Sequence, residues 1–74
     1  MQMKMLLTKL REDREETKRA FGARCDTHPI RIGQIENRRV RPYDVEMARI
    51  AAALGWPGDP RELLEDVSDD DQSA

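Results

Sequence analysis

The stretch that decides the fold is residues 28–42, HPIRIGQIENRRVRP. It contains a proline and a glycine, yet Ile32 and Ile35 stand three residues apart, as they would on one face of a helix. A proline at the first position of a helix loses no hydrogen bond, because the N–H that it lacks would be unpaired there. The stretch therefore predicts a helix that starts at Pro29 and is followed by a basic loop.

Gly33 lies inside this helix and costs it roughly 0.5–1 kcal/mol relative to alanine. Two interpretations stay open: a plain weakness, or room for the close approach of DNA or of a partner helix. With Ile32 and Ile35 turned inward, the outward positions are Ile30, Arg31, Gly33 and Gln34. A generic solvated face would carry more glutamate and lysine than this one does.

Helical spacing recurs on both sides of this stretch, and no alternation typical of β-strands is visible. Thr17 suits a helix N-cap, and Asp59, Pro60 and Glu62 form a capping box with proline at the first helical position. Besides the helix at Pro29, the sequence predicts four more, over about Lys4–Arg14, Thr17–Cys25, Asp44–Leu54 and from Asp59 onward. The expected fold class is all-α, a compact five-helix bundle with short connections.

The net charge of -2 conceals an asymmetry. Residues 65–74 carry five acidic side chains and no basic one, so the rest of the chain is at +3. Between Thr17 and Tyr43, seven basic residues stand against two acidic ones, which gives this segment a charge of +5. Local charge decides whether phosphates are attracted, so an acidic chain of this kind remains compatible with a nucleic-acid partner.

The length of 74 residues fits one small domain with little room for a deep catalytic pocket. The single cysteine, Cys25, has no internal disulfide partner, and one histidine cannot complete a Cys/His zinc set. We therefore expect no enzyme activity, metal, cofactor or membrane span, and a soluble cytoplasmic protein. Residues 1–67 are expected to form the domain, and residues 68–74 a disordered acidic tail.

Four segments, LTKLR, TK, IGQIENRRVRP and RIAAALG, follow one another along the chain. They resemble the Leu-x-x-Leu-Arg, Ser/Thr-Gln, Ile-x-x-Ile-Glu-x-Gly-x-x-x-Pro and Ile-Ala-x-Ala-Leu-Gly segments of the Cro/CI-type (XRE) family. The resemblance covers about Leu6 to Leu64 and implies a lambda-repressor-like DNA-binding domain that contains a helix-turn-helix. Where the family pattern usually has glycines at two turns, this chain has Asp26 and Arg38.

The resemblance implies that the second helix crosses the phosphate backbone and that the third enters the major groove. Isoleucine can pack on a thymine methyl group, while arginine and glutamine can each bond a purine with two contacts. The implied base contacts are Ile30, Arg31 and Gln34. The implied backbone contacts are Thr17, Lys18, Arg38, Arg39 and Arg41. A structural ion pair between the first and third helices is implied for Arg11 and Glu36.

Plainer interpretations stay open for these residues. Thr17 also suits an ordinary N-cap, Ile30 a core or dimer contact, and the arginines solubility. A function of a different class is also open: a protein-interaction module such as an antitoxin or antirepressor. The acidic tail and Trp56 would suit that alternative, whereas the +5 segment favours DNA.

The function that we expect is a sequence-specific DNA-binding transcriptional regulator of the phage, prophage or mobile-element repressor type. It would act on the nucleoid in the cytoplasm. One such domain reads about four to five base pairs, so specific binding calls for a homodimer on a two-fold operator. The expected partners are double-stranded operator DNA and a second copy of the chain, with a protein partner in the alternative.

Overall fold

The fold is mostly helical, and the two ends of the described chain form a small sheet. The computed structural model describes residues 3–68, which form, in order, β1 (Met3–Met5), α1 (Leu6–Asp13), α2 (Lys18–Cys25), α3 (Pro29–Glu36), α4 (Asp44–Leu54), a 3-10 helix (Pro60–Leu64) and β2 (Asp66–Ser68). The radius of gyration, 11.7 Å, is close to the roughly 11 Å expected for a folded chain of this length. The expectation of a compact, mostly helical fold is therefore confirmed.

The ends of the helices are set by local chemistry. The Thr17 hydroxyl accepts a hydrogen bond of 3.0 Å from the Ala20 N–H at the start of α2. The His28 Nδ1 accepts one of 3.1 Å from the Ile30 N–H, and a proline follows it at the first position of α3. At the end of α4, Gly55 has a φ of 66°, a left-handed conformation that glycine adopts at little cost.

The prediction of an all-α bundle of five helices is wrong at both ends of the chain. The segment after Asp59 forms only a five-residue 3-10 helix, because the backbone is already extended at Glu65, where it enters β2. The first α-helix starts at Leu6 rather than Lys4, because the preceding residues pair as a strand. Each strand has three residues, too few to show an alternating pattern in the sequence.

The sheet joins the two ends of the domain in antiparallel register. Met3 pairs with Ser68, and Met5 with Asp66. Ser68, expected in the acidic tail, is thus the last residue of β2. The rest of that predicted tail, residues 69–74, lies outside the described residues.

The core is built from apolar side chains of all four α-helices, β1 and the 3-10 helix. Its largest fully buried side chains are Phe21, Leu7, Ile32, Ile35, Ile50, Leu63 and Cys25. The inward orientation expected for Ile32 and Ile35 is therefore observed. In β1, Met3 is 58% exposed, whereas Met5 lies in the core.

Candidate nucleic-acid interface

A three-residue turn, Asp26–His28, connects α2 to α3 and brings the two helices close together. Asp26 adopts a left-handed conformation with a φ of 56°. The Thr27 N–H donates a hydrogen bond of 2.8 Å to the carbonyl oxygen of Gly22. A Cβ atom added to Gly22 would lie only 2.5 Å from the Thr27 carbonyl oxygen. The absence of a side chain at Gly22 therefore permits this close approach of the two helices.

The outer face of α3 carries Ile30 and Gln34, one helical turn apart. Ile30 is 67% exposed. Gln34 is half-buried, and its side chain makes no hydrogen bond within residues 3–68. Both side chains are therefore available to a ligand that approaches α3 from outside.

Lys18 lies across this same face, opposite Gly33. A Cβ atom added to Gly33 would meet Cδ of Lys18 at 3.7 Å and Nζ at 3.8 Å, which are ordinary van der Waals distances. The group that approaches this glycine is thus a side chain from the first turn of α2. Lys18 places an ammonium group beside the outer face of α3, whatever else binds there.

Arg31 does not extend freely from α3. Its side chain is held by Glu46 of α4 and by Tyr43, the residue that precedes α4. Its Nε and Nη2 donate hydrogen bonds of 2.8 Å each to the two carboxylate oxygens of Glu46. Its guanidinium carbon lies 5.2 Å from the centre of the Tyr43 ring. Glu46 also accepts a hydrogen bond of 2.8 Å from the Tyr43 backbone N–H. The hydrogen bonds from Arg31 lower the pKa of Glu46, against the opposing effect of burial.

Besides Arg31, two more cations of the basic segment are engaged with the protein itself. Arg24 donates hydrogen bonds of 2.7 and 3.0 Å to the carboxylate of Glu16. These hydrogen bonds lower the pKa of Glu16. Arg38, an expected backbone contact, donates a hydrogen bond of 3.2 Å to the Leu64 carbonyl oxygen and forms an ion pair with Asp66. Both guanidinium groups are therefore partly occupied by protein partners.

The other cations of this segment are exposed and have no hydrogen-bond or ion-pair partner for their side chains in the described part of the chain. They are Lys18, Arg19, Arg39 and Arg41. The first two lie in the first turn of α2, and the last two in the loop after α3. Positive charge that has no partner within residues 3–68 is thus concentrated at two places next to α3.

The first turns of α2 and α3 contain no acidic residue, whereas the first turn of α4 contains Asp44 and Glu46. Negative charge stabilises a helix N-terminus, and positive charge there is unfavourable. The placement of Lys18 and Arg19 at the start of α2 thus opposes the stability of that helix. An anion bound at this end would relieve the unfavourable charge.

Arg11 and Glu36 form a buried ion pair between α1 and α3. The Nε and Nη2 of Arg11 donate hydrogen bonds of 2.8 and 3.0 Å to the Glu36 carboxylate, and its Nη1 donates one of 2.7 Å to the Glu16 carbonyl oxygen. The Arg11 and Glu36 side chains are 8% and 5% exposed. The hydrogen bond to Glu36 raises the pKa of Arg11. Because the pair joins helices far apart in sequence, it fixes α1 against α3.

Sequence reasoning missed Tyr43 and Glu46 as neighbours of the site. The sequence does contain a weak signal for Glu46. In a capping box, an acidic residue stands three positions after the N-cap residue of a helix. Glu46 stands in that position relative to Tyr43 and accepts its N–H. Its second role, as the partner of Arg31, depends on the packing of α3 beside α4 and has no local signature.

Cys25 is buried, and this burial raises the pKa of its thiol to about 11. Within residues 3–68, no group of three or more His, Cys, Asp or Glu side chains is placed to hold a metal ion. Over the same residues, every helix is too short or too polar to cross a membrane.

Comparisons with known proteins found no matching family model, no matching curated protein and no matching solved structure.

Proposed function

We propose that the chain is a sequence-specific DNA-binding transcriptional regulator with a helix-turn-helix of the Cro/CI type. In this proposal, α2 crosses the phosphate backbone and α3 enters the major groove. The connection between these helices supports it, because a turn of three residues is typical of the motif. The tight contact at Gly22 also suits two helices that pack closely across such a turn.

The turns after α2 and α3 support the Cro/CI assignment. The family pattern usually has glycines where this chain has Asp26 and Arg38, and their φ angles are 56° and 60°. Glycine adopts left-handed backbone more readily than other residues do, so Asp26 and Arg38 have the backbone conformation expected of the glycines they replace. The buried pair of Arg11 and Glu36 is a further feature that the resemblance implies.

The observation that carries the proposal is the set of exposed cations next to α3 that have no partner among the described residues 3–68. Lys18 and Arg19 lie at the start of α2, and Arg39 and Arg41 follow α3. A phosphate backbone that passes over α3 would meet cations at both places. Each phosphate neutralised would contribute about 0.9 to the slope of log affinity against log salt concentration. The N-terminus of α2, which Thr17 caps, adds backbone N–H donors for a phosphate.

Base recognition is assigned to the outer face of α3. The exposed side chain of Ile30 suits contact with a thymine methyl group, and the amide of Gln34 suits the two hydrogen-bonding groups of adenine. Both lie in a short helix that carries no acidic residue in its first turn, so phosphates on either side of the groove would not be repelled there.

We propose a homodimer as the active form. One copy of α3 reads only about four to five base pairs, too few for a unique operator, and a two-fold dimer doubles this number. Binding would act by occupancy, since a dimer on a promoter excludes polymerase. This mode fits a small repressor of the phage, prophage or mobile-element type.

The test is selection of duplexes that contain about 20 random base pairs, enough for two half-sites one helical turn apart. We expect enrichment of a two-fold symmetric sequence. The Gln34→Ala variant should fold like the wild type but lose preference at one position of each half-site. If no sequence is enriched, the DNA-binding proposal is wrong, and a protein-interaction module such as an antitoxin becomes the better interpretation.

A further inference from the structure

Glu46 stands behind the proposed base-reading helix and holds one of its side chains. We infer that Glu46 is a positioning residue, which fixes Arg31 so that Arg31 reads a guanine base and does not bind a phosphate. This inference rests on the proposed DNA-binding function. It is carried by the contacts among Arg31, Glu46 and Tyr43, which leave one edge of the guanidinium group without a partner among residues 3–68.

The hydrogen bonds to Glu46 determine which edge of Arg31 remains. A guanidinium group has five N–H donors, and the two bonds of 2.8 Å to Glu46 use one on Nε and one on Nη2. Two donors on Nη1 and one on Nη2 remain. These form the end-on fork that can bond O6 and N7 of guanine with two contacts. The Arg31 side chain is 24% exposed, so part of it stays accessible.

Tyr43 provides a second contact for the guanidinium group of Arg31. Its ring lies beneath the guanidinium group, 5.2 Å from centroid to Cζ, and its backbone N–H donates to the same Glu46 carboxylate. A planar cation held on two sides loses little rotamer freedom when it binds a base. Arg31 is therefore preorganised, unlike Arg39 and Arg41 in the loop after α3, whose side chains have no partner within residues 3–68.

The charge of Glu46 separates base recognition from phosphate binding. The carboxylate neutralises Arg31 and would repel a phosphate placed against the same guanidinium group. Guanine presents neutral acceptors, so its contact with the free edge does not meet this repulsion. Arg39 and Arg41, which have no carboxylate partner within residues 3–68, suit phosphates instead. Arginines that look equivalent in the sequence are thus assigned different contacts: Arg31 a base, and Arg39 and Arg41 phosphates.

The experiment compares base preference and salt dependence in four proteins: wild type, Arg31→Lys, Glu46→Gln and Asp44→Asn. Each is titrated with duplexes that carry all four base pairs, in turn, at every position of the selected site. We expect Arg31→Lys to lose a guanine preference of roughly 5- to 150-fold at one position of each half-site. Lysine keeps the charge but lacks the planar fork.

Glu46→Gln should lose the same preference at the same position. Its affinity for a random duplex should rise, and its salt slope should steepen by up to about one unit, because the released Arg31 can pair with a phosphate. Asp44→Asn is the matched control, since it removes a carboxylate from the same helical turn that makes no hydrogen bond to Arg31. It should leave the guanine preference unchanged. Thermal unfolding followed by circular dichroism identifies any variant that does not fold.

Loss of guanine preference at one shared position in both variants, but not in Asp44→Asn, supports the inference. If Glu46→Gln does not fold, Arg31→Lys alone can still overturn the inference, because the inference requires Arg31 to read guanine. Unchanged base preference in Arg31→Lys overturns it, as does a folded Glu46→Gln variant that weakens equally on all duplexes. In either case, the DNA-binding proposal still holds if the wild-type protein enriches a specific sequence. A wild-type protein that enriches no sequence overturns the DNA-binding proposal, and this inference with it.

Discussion

Arg31 of α3 and Glu46 of α4 meet in a bidentate ion pair with two hydrogen bonds of 2.8 Å. At the other end of α3, Glu36 is held by Arg11 of α1 in the same way. The proposed recognition helix is therefore fixed at both ends by ion pairs to different helices. Its orientation depends on charged contacts as well as on Ile32 and Ile35 in the core.

Acid should weaken the fold in part through Glu46, whose pKa in the folded chain is lowered from its ordinary 4.5 by the hydrogen bonds from Arg31. The stabilisation is complete above the ordinary pKa and is lost as pH falls through the lower folded value. Urea unfolding of wild type and Glu46→Gln from about pH 7 to pH 3 measures this effect. The difference in their free energies of unfolding should shrink below about pH 4.5. A difference that stays constant to pH 3 would contradict the assignment.

Removing one partner of the Arg11–Glu36 pair should destabilise the fold by about 3–5 kcal/mol, because a buried charge is left unpaired. Replacement of both residues by methionine should cost far less, since no buried charge then remains. A double-mutant cycle by urea unfolding measures the coupling. Additive effects of the two single substitutions would show that the pair has no structural role.

The same substitution should have opposite effects at two glycines. Gly22→Ala should destabilise the fold, because its Cβ would lie 2.5 Å from a backbone oxygen. Gly33→Ala should stabilise it by roughly 0.5–1 kcal/mol, because alanine favours the helix and its Cβ meets Lys18 at 3.7 Å. Thermal unfolding of both variants checks the prediction. Destabilisation by Gly33→Ala would mean that α3 is packed more tightly there than its contacts indicate.

The Cys25 thiol should react slowly with a disulfide reagent in the folded protein, because it is buried and its pKa is raised to about 11. Reaction should accelerate with urea in step with unfolding measured by circular dichroism. Between the ordinary pKa of 9.0 and the folded value, stability should fall as pH rises, since only the unfolded chain ionises. Fast modification without urea would show that the core opens at this helix.

The sequence predicted the parts of the fold that depend on local chemistry. The start of α3 at Pro29 follows from the helical role of proline, and the end of α4 follows from Gly55. The strands could not be predicted, because three residues at each end become extended only by pairing with one another. The 3-10 helix was predicted as an α-helix, because its capping residues suit either form.

The candidate site, like the fold, could be predicted from the sequence only in part. In the segment charge of +5, Lys18, Arg24 and Arg38 each count as one cation. The structure separates them, because Arg24 and Arg38 have acidic partners that lie outside the segment. Such partners depend on how helices pack, which the spacing of residues along the chain does not record.

The measurement that tests DNA binding most directly is the salt dependence of affinity for the selected duplex, from about 50 to 200 mM salt. Wild type is compared with Lys18→Ala and Arg39→Ala, which remove cations that have no partner in the described part of the chain, and with Arg24→Ala, which removes one paired with Glu16. We expect each of the first two to reduce the slope of log affinity against log salt by about one unit, and Arg24→Ala to reduce it by much less. Equal reductions in all three, or a wild-type affinity that does not change with salt, would contradict the proposed interface.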